Sequence, residues 1–180
     1  MMPDWCDNTL TITGPEDQIR EFRDRARNLH PGEITDLCFN KIIRRPPEED
    51  DNWYNWNREN WGVKWDVTAH LEIYGDRHIE YQFDSAWSPP IKFCEKASEL
   101  FPDLTFKIWF EETGCWFSGE KHYKNGECVY EEDLTHELEE RYPEEEYEKE
   151  PVDLLGDDDV KKKVDLLNIT WKEVTTVKGV

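Results

Sequence analysis

Along the first 130 residues, some segments alternate between apolar and polar side chains and others carry apolar side chains at helical spacing. The order of these segments is the feature that most constrains the fold. Four segments alternate between apolar and polar side chains, which is typical of strands that bury one face. Two further segments carry apolar side chains at helical spacing, and a proline stands at the start of each. The predicted strands are residues 6–13, 65–74, 78–87 and 104–111, and the predicted helices are residues 15–29 and 89–101.

The connections between these segments predict how the strands pair. The turn at Gly75 and Asp76 is short, so the strands on either side of it form an antiparallel hairpin. A second hairpin is predicted for residues 115–130, around Asn125 and Gly126. The resulting order predicts an α+β fold of the ferredoxin-like, split βαβ type, with two helices on one face of an antiparallel sheet and a terminal hairpin added. This name describes topology and implies no iron–sulfur cluster.

A tryptophan-rich segment, residues 52–65, contains four of the nine tryptophans and interleaves them with asparagines. Its apolar spacing fits neither a helix nor a strand, so we predict an ordered loop that leads into the second strand. Two interpretations stay open. The tryptophans can complete a core that is too small to close by itself, or they can line a partly open aromatic pocket to which Arg58 and Lys64 add polar contacts.

The charge of the chain excludes some partners. The formal net charge is −20, which argues against binding to a phosphate backbone and against binding to anionic membranes. Residues 131–159 carry 15 acidic side chains against two basic ones, a net charge of −13. We therefore divide the chain into a domain, residues 1–130, and an acidic C-terminal extension, residues 131–180, which we expect to be partly ordered.

The five cysteines have no close spacing and are odd in number, which favours reduced thiols in a cytoplasmic protein. We expect no signal peptide and no membrane span, because no apolar run approaches the required length. Zinc sites usually include a close pair of cysteine or histidine ligands, and the sequence has none. We predict no metal, no cofactor and no catalytic residue.

Four short blocks share a distinctive use of tryptophan, aspartate, glycine and proline. They are residues 2–15 (MPDWCDNTLTITGP), 60–66 (NWGVKWD), 83–90 (FDSAWSPP) and 111–119 (EETGCWFSG). Together they resemble the YubB-like family of ferredoxin-like domains, which occurs mostly in phage- and plasmid-type proteins. The resemblance covers about residues 2–130. It departs in the fourth block, where Cys115, Trp116 and Ser118 stand in place of the Met, Gly and Ala of a typical GMGFAG pattern.

The resemblance implies the same fold and brings no established activity. It implies that Trp61, Trp65, Asp66, Asp84, Trp87 and the segment 114–119 belong to one shared site or one shared core. If that site is a pocket, the bulky side chain of Trp116 narrows it.

We interpret the protein as a non-enzymatic binding protein with an aromatic recognition surface. The candidate ligand-binding residues are Trp61, Lys64, Trp65, Asp66, Asp84, Trp87 and Trp116. The partner is an unknown protein or a small molecule, direct nucleic-acid binding is not expected, and the oligomeric state stays open. One alternative is a small hydrolase or transferase that uses Asp66 and Asp84 in a tryptophan-lined cleft. Another is an acidic mimic of DNA that inhibits a nucleic-acid-binding protein.

Overall fold

The structure is a computed structural model that describes residues 4–142. Its centre is an antiparallel sheet of six strands in the spatial order β2-β3-β1-β4-β5-β6. The strands are β1 (Trp5–Thr13), β2 (His70–Gly75), β3 (His78–Ala86), β4 (Thr105–Glu112), β5 (Phe117–Lys124) and β6 (Glu127–Asp133). The first four strands have the predicted split βαβ arrangement, and the predicted terminal hairpin adds β5 and β6 beside β4.

The helices of residues 4–142 connect these strands. They are α1 (Glu16–Ala26), α2 (Phe39–Ile42), α3 (Trp53–Asn60), α4 (Ile91–Leu100) and α5 (Thr135–Arg141), with a 3-10 helix (Pro47–Asn52) directly before α3. None of the helices in this part of the chain is long and apolar enough to cross a membrane.

The central strand β1 sets the position of the core. Leu10 pairs with Tyr81 of β3 on one side and with Ile108 of β4 on the other, and all three side chains are buried. Alternate residues of β1 face the opposite side of the sheet and are more exposed. The buried face packs against α1, where Phe22 contacts the rings of Tyr81, Phe101 and Phe106 at centroid distances of 5.3–6.4 Å. The α+β, ferredoxin-like prediction is confirmed.

The tryptophan-rich segment differs from the prediction. Residues 53–60 form the helix α3 instead of a loop, and β2 begins at His70 instead of Trp65. The helix ends because Gly62 has a φ of 85°, a left-handed conformation that favours glycine. Trp61 is then 2 % exposed, and its indole Nε1 donates a hydrogen bond to the carbonyl oxygen of Ile43 at 3.0 Å. The chain between this anchor and β2 remains irregular.

A smaller difference occurs after α1. The predicted helix extends to Leu29, whereas α1 ends at Ala26 and Arg27 is extended. Leu29 is consequently 64 % exposed.

The ordered fold continues past the boundary expected at residue 130. Strand β6 extends to Asp133, and in α5 the side chain of Leu138 is fully buried. Arg141 forms an ion pair with Glu111 of β4 at 2.7 Å. Because Glu111 follows the core residue Phe110, it points to the opposite face of the sheet, and α5 therefore packs on that face. The first compact unit ends at Arg141, and the rest of the acidic extension, from residue 143, lies outside the described residues.

This packing predicts that α5 stabilises the sheet. Leu138→Ala removes a fully buried side chain and is expected to lower the free energy of unfolding by about 2–5 kcal/mol. The matched control is Glu139→Ala on the exposed side of the same helix, with an expected change within about 0.5 kcal/mol. Urea unfolding followed by circular dichroism measures both. Equal stabilities of the two variants would show that α5 does not belong to the folded unit.

Candidate binding site

Three exposed indoles from distant parts of the chain lie in contact. Trp65 stacks on Trp87 with ring centroids 5.8 Å apart, and on its other side it meets Trp5 at 6.4 Å. The exposed fractions are 53 % for Trp5, 39 % for Trp65 and 36 % for Trp87. We call these three residues the tryptophan row. The pairing of Trp5 with Ala86 brings the start of β1 beside the end of β3, so Trp87 follows directly.

The backbone at Trp87 is strained. Its φ is 64°, a left-handed conformation that costs a residue with a side chain about 1–2 kcal/mol. The Trp87 N–H donates to the carbonyl oxygen of Asp4 at 2.9 Å, which ties this position to the beginning of β1. A large apolar side chain held in a costly conformation and still one-third exposed is a feature that occurs at ligand clamps.

A cleft of about 300 Å³ opens at the Trp87 end of the row, and we call it the basic cleft. Lys64 lies inside it, with Nζ 4.3 Å from the ring centroid of Trp65 and 5.2 Å from that of Trp87. The guanidinium of Arg58 lies 5.8 Å from the ring of Tyr54. The lining residues are Tyr54, Arg58, Gly62, Val63, Lys64, Ala86, Trp87 and Ser88.

A second concavity, of about 240 Å³, opens at the Trp5 end of the row, and we call it the acidic hollow. Asp66 and Asp84 both line it, together with Trp5, Val67 and Thr68. The two candidate carboxylates therefore do share one concave site.

The carboxylate of Asp66 is already occupied by structural hydrogen bonds. One oxygen accepts from the backbone N–H of Phe39 at 2.7 Å and of Val67 at 2.9 Å. The other accepts from the N–H of Asn40 at 3.0 Å and from the thiol of Cys38 at 3.2 Å. Asp66 thus supplies the hydrogen-bond partners that the first turn of α2 needs.

Asp84 has an acidic partner that the sequence analysis did not identify. Asp7 lies directly opposite Asp84 in the pairing of β1 with β3. Partial burial raises the pKa of Asp7 to about 6, and the hydrogen bond to Asp84 and the charges of Asp84 and Glu111 add to the shift. The sequence carries no signal for this pair, because only the strand register makes the two residues neighbours.

Of the seven predicted site residues, four (Lys64, Trp65, Asp84 and Trp87) lie together at the row and its two concavities, and Asp66 borders the acidic hollow as a capping residue. Trp61 belongs to the core instead. Trp116 lies on the turn between β4 and β5, 37 % exposed and with a φ of 61°, and it lines neither the basic cleft nor the acidic hollow. The sequence analysis missed Trp5 and Tyr54, although Trp5 is part of one of the four blocks that carry the resemblance.

One group of side chains has the donor types of a cation site. Ligand atoms of Asp4, Glu112 and Cys115 lie within 4.8 Å of one another. However, the Glu112 oxygens accept the backbone N–H groups of Gly114 and Cys115, so this carboxylate holds the turn. The hydrogen bond with Glu112, and its charge, raise the pKa of the Cys115 thiol, which works against the thiolate form that binds metals.

The strand order, the antiparallel pairing and the two main helices on one face define an α+β protein of the ferredoxin-like class. Residues 60–153 match the family described as the ferredoxin-like domain in Api92-like protein, and the chain belongs to this family.

Two comparisons agree with this assignment. The chain is similar to the uncharacterized protein YubB of Escherichia coli (strain K12), with 32 % identity over 84 residues that cover 42 % of this chain and 54 % of that protein. The chain thus spans about half the length of this curated relative. It also resembles the crystal structure of the protein api92 from Yersinia pseudotuberculosis, with a TM-score of 0.54 and 11 % identity over 73 % of this chain and 98 % of that one. The latter likeness shows the fold alone.

The hydrogen bonds of Asp66 lead to a stability prediction. Asp66→Asn replaces one acceptor oxygen with an amide donor facing backbone N–H groups, and we expect it to lower the free energy of unfolding by about 1–3 kcal/mol. The control, Asp84→Asn, removes a charge opposite Asp7 and is expected to be neutral or stabilising. Chemical denaturation of both variants at pH 7 makes the comparison. A larger loss from Asp84→Asn would contradict the capping role.

The raised pKa of Asp7 leads to a prediction about pH. The folded protein binds this proton more tightly than the unfolded chain, whose carboxyl titrates near 3.8, so the contribution of Asp7 to stability falls as pH rises from about 4 to about 6. Asp7→Asn removes this loss and is expected to be more stabilising, relative to the natural protein, at pH 7 than at pH 4. Unfolding free energies at several pH values test this. Asp76→Asn, in an exposed turn, serves as control and is expected to show no such trend.

Proposed function

We propose that this protein is a binding protein whose recognition surface is the tryptophan row. The observation that carries the proposal is the contact among Trp5, Trp65 and Trp87 with more than a third of each side chain exposed. Contiguous exposed apolar surface of this kind marks interaction sites, and tryptophan is among the residues that dominate binding energy at protein interfaces. The partner that this surface fits best is another protein.

The polar surroundings of the row support recognition of a specific partner. Lys64 lies on one side of Trp65, and the carboxylates of Asp66 and Asp84 lie near Trp5 at the other end. An aromatic centre with a polar rim is the usual composition of a protein interface. The five free cysteines suit a reducing, cytoplasmic setting for such an encounter.

The structural hydrogen bonds of Asp66 favour a binding role over the hydrolase or transferase alternative. A pair of catalytic carboxylates needs an acid and a base that are free to exchange protons with a substrate. Both oxygens of Asp66 instead accept backbone N–H groups, so the predicted pair of Asp66 and Asp84 does not meet this requirement. The DNA-mimic alternative depends on residues 131–159, of which residues 143–159 lie outside the described residues, and it stays a prediction.

The proposal is tested by capture of a protein partner on the full chain and on two single variants. Trp65→Ala removes the middle ring of the row, and Trp53→Ala removes a similarly exposed indole of the same segment that is not part of the row. We expect Trp65→Ala to weaken binding of the captured partner by at least about 2 kcal/mol, roughly 30-fold in Kd, as is typical of a central aromatic contact. Calorimetry with the purified partner measures the affinity, and thermal unfolding verifies that both variants fold.

We expect Trp53→Ala to retain full affinity. If every captured protein binds the Trp65→Ala variant as well as it binds the natural chain, the tryptophan row is not the recognition surface.

A further inference from the structure

The basic cleft has a local charge opposite to that of the protein. The chain carries 42 acidic and 22 basic side chains, and yet Arg58 and Lys64 line the cleft with no carboxylate among the lining residues. Both cations approach the same aromatic ring, that of Tyr54, with centroid distances of 5.8 Å for Arg58 and 5.9 Å for Lys64. Two cations thus line one cleft in a protein of net negative charge, and this arrangement favours binding of an anion there.

Neither cation is neutralised by the part of the chain that the structure describes. The ion pairs among residues 4–142 involve other lysines and arginines. Arg58 donates a hydrogen bond to the hydroxyl of Tyr54 at 3.4 Å, and Lys64 contacts aromatic rings. Contacts with rings leave the N–H donors of both groups available, whereas a carboxylate partner would occupy them.

The walls of the cleft add a second element of recognition. Tyr54 and Trp87 contribute aromatic rings to the lining, and Gly62, Val63, Ala86 and Ser88 complete it. The volume of about 300 Å³ lies at the lower end of the range for small-molecule sites. The space therefore accepts a ligand of one or two fused rings with a small charged group.

We propose that the basic cleft binds a small anionic ligand that carries a flat unsaturated ring. Arg58 and Lys64 bind the anionic group, a carboxylate or a phosphate monoester, and the rings of Trp87 and Tyr54 pack against the ring of the ligand. A polyanion fits less well, because the acidic hollow lies at the other end of the tryptophan row and the net charge of the chain repels a long negative partner.

This inference does not rest on the proposed protein-binding role. Arg58 and Tyr54 are not part of the tryptophan row, and neither Trp5 nor Trp65 lines the cleft. The probe titrations therefore test the cleft, while the capture experiment with Trp65→Ala tests the row; Trp87 is the one residue of the row that also lines the cleft.

The experiment titrates the full chain with four probes, using calorimetry and ligand-observed NMR. The probes 1-naphthyl phosphate and 1-naphthoate carry both a ring and a charge, 1-naphthylmethanol carries the ring alone, and inorganic phosphate carries the charge alone. We expect at least one charged naphthyl probe to bind tenfold or more tightly than either single-feature probe. Preference for 1-naphthyl phosphate identifies a phosphate ester as the anionic group, and preference for 1-naphthoate identifies a carboxylate.

The matched variants separate specific binding from general attraction to positive charge. The double variant Arg58→Gln and Lys64→Gln is expected to bind the charged naphthyl probe at least tenfold more weakly than the natural chain does. The control combines Lys41→Gln with Arg44→Gln, which removes two exposed cations outside the cleft and is expected to leave the affinity unchanged. Equal affinity of the charged and uncharged naphthyl probes, no binding of either charged probe, or equal losses in the two double variants would each overturn the proposal.

Discussion

The packing of Phe39 is the interaction on which the rest of the structure depends. This ring is fully buried and stacks on Phe93 of α4 with centroids 4.0 Å apart. Its edges and faces also meet Phe83 of β3 at 5.9 Å and Trp61 at 6.0 Å. One side chain thus joins the sheet, the second main helix and the long segment between α1 and β2. Without it, α2 would be attached to the core through Ile42 alone, because its four residues contain no other buried side chain.

The candidate site is built on this attachment in two steps. Asp66 accepts a hydrogen bond from the backbone N–H of Phe39 at the start of α2. Because Asp66 directly follows Trp65, this hydrogen bond holds the chain next to Trp65 against the core. On the other side, Trp61 is bound to α4 and Gly62 is bound to the connection between β3 and α4. The Phe93 N–H donates to the Trp61 carbonyl at 3.1 Å, and the Ser88 hydroxyl donates to the Gly62 carbonyl at 3.2 Å. The short chain between these anchors carries Lys64 and Trp65, which therefore lie against Trp87.

The sequence predicts the sheet well and the site only in part, for physical reasons. Strand alternation is a local property, so β1, β3 and β4 were predicted almost to the residue. The helix α3 was missed because asparagines interrupt its apolar spacing, and its position depends on tertiary contacts such as the hydrogen bond from Asn57 Nδ2 to the Lys64 carbonyl at 2.8 Å. Lys64, Trp65 and Trp87 were predicted from the blocks of sequence that carry the family resemblance. Trp5 lies in the first of these blocks but was not predicted, because only the register of β1 against β3 shows that it meets the other two indoles.

The distribution of charge along the tryptophan row gives the surface a direction. Lys64, Trp65 and Asp66 are consecutive. The backbone of α2 holds the carboxylate of Asp66, whereas the ammonium group of Lys64 lies over the rings of Trp65 and Trp87. The two opposite charges therefore lie on different sides of the Trp65 indole. One end of the row therefore opens onto cations and the other onto carboxylates. In the proposed binding role, a partner that lays an apolar side chain on Trp65 would meet opposite charges on its two sides, and only one orientation would pair both of them. Reversal of that partner would place like charges together, so in this role Lys64 and the carboxylates on the two sides of the row would also determine the orientation of the bound partner.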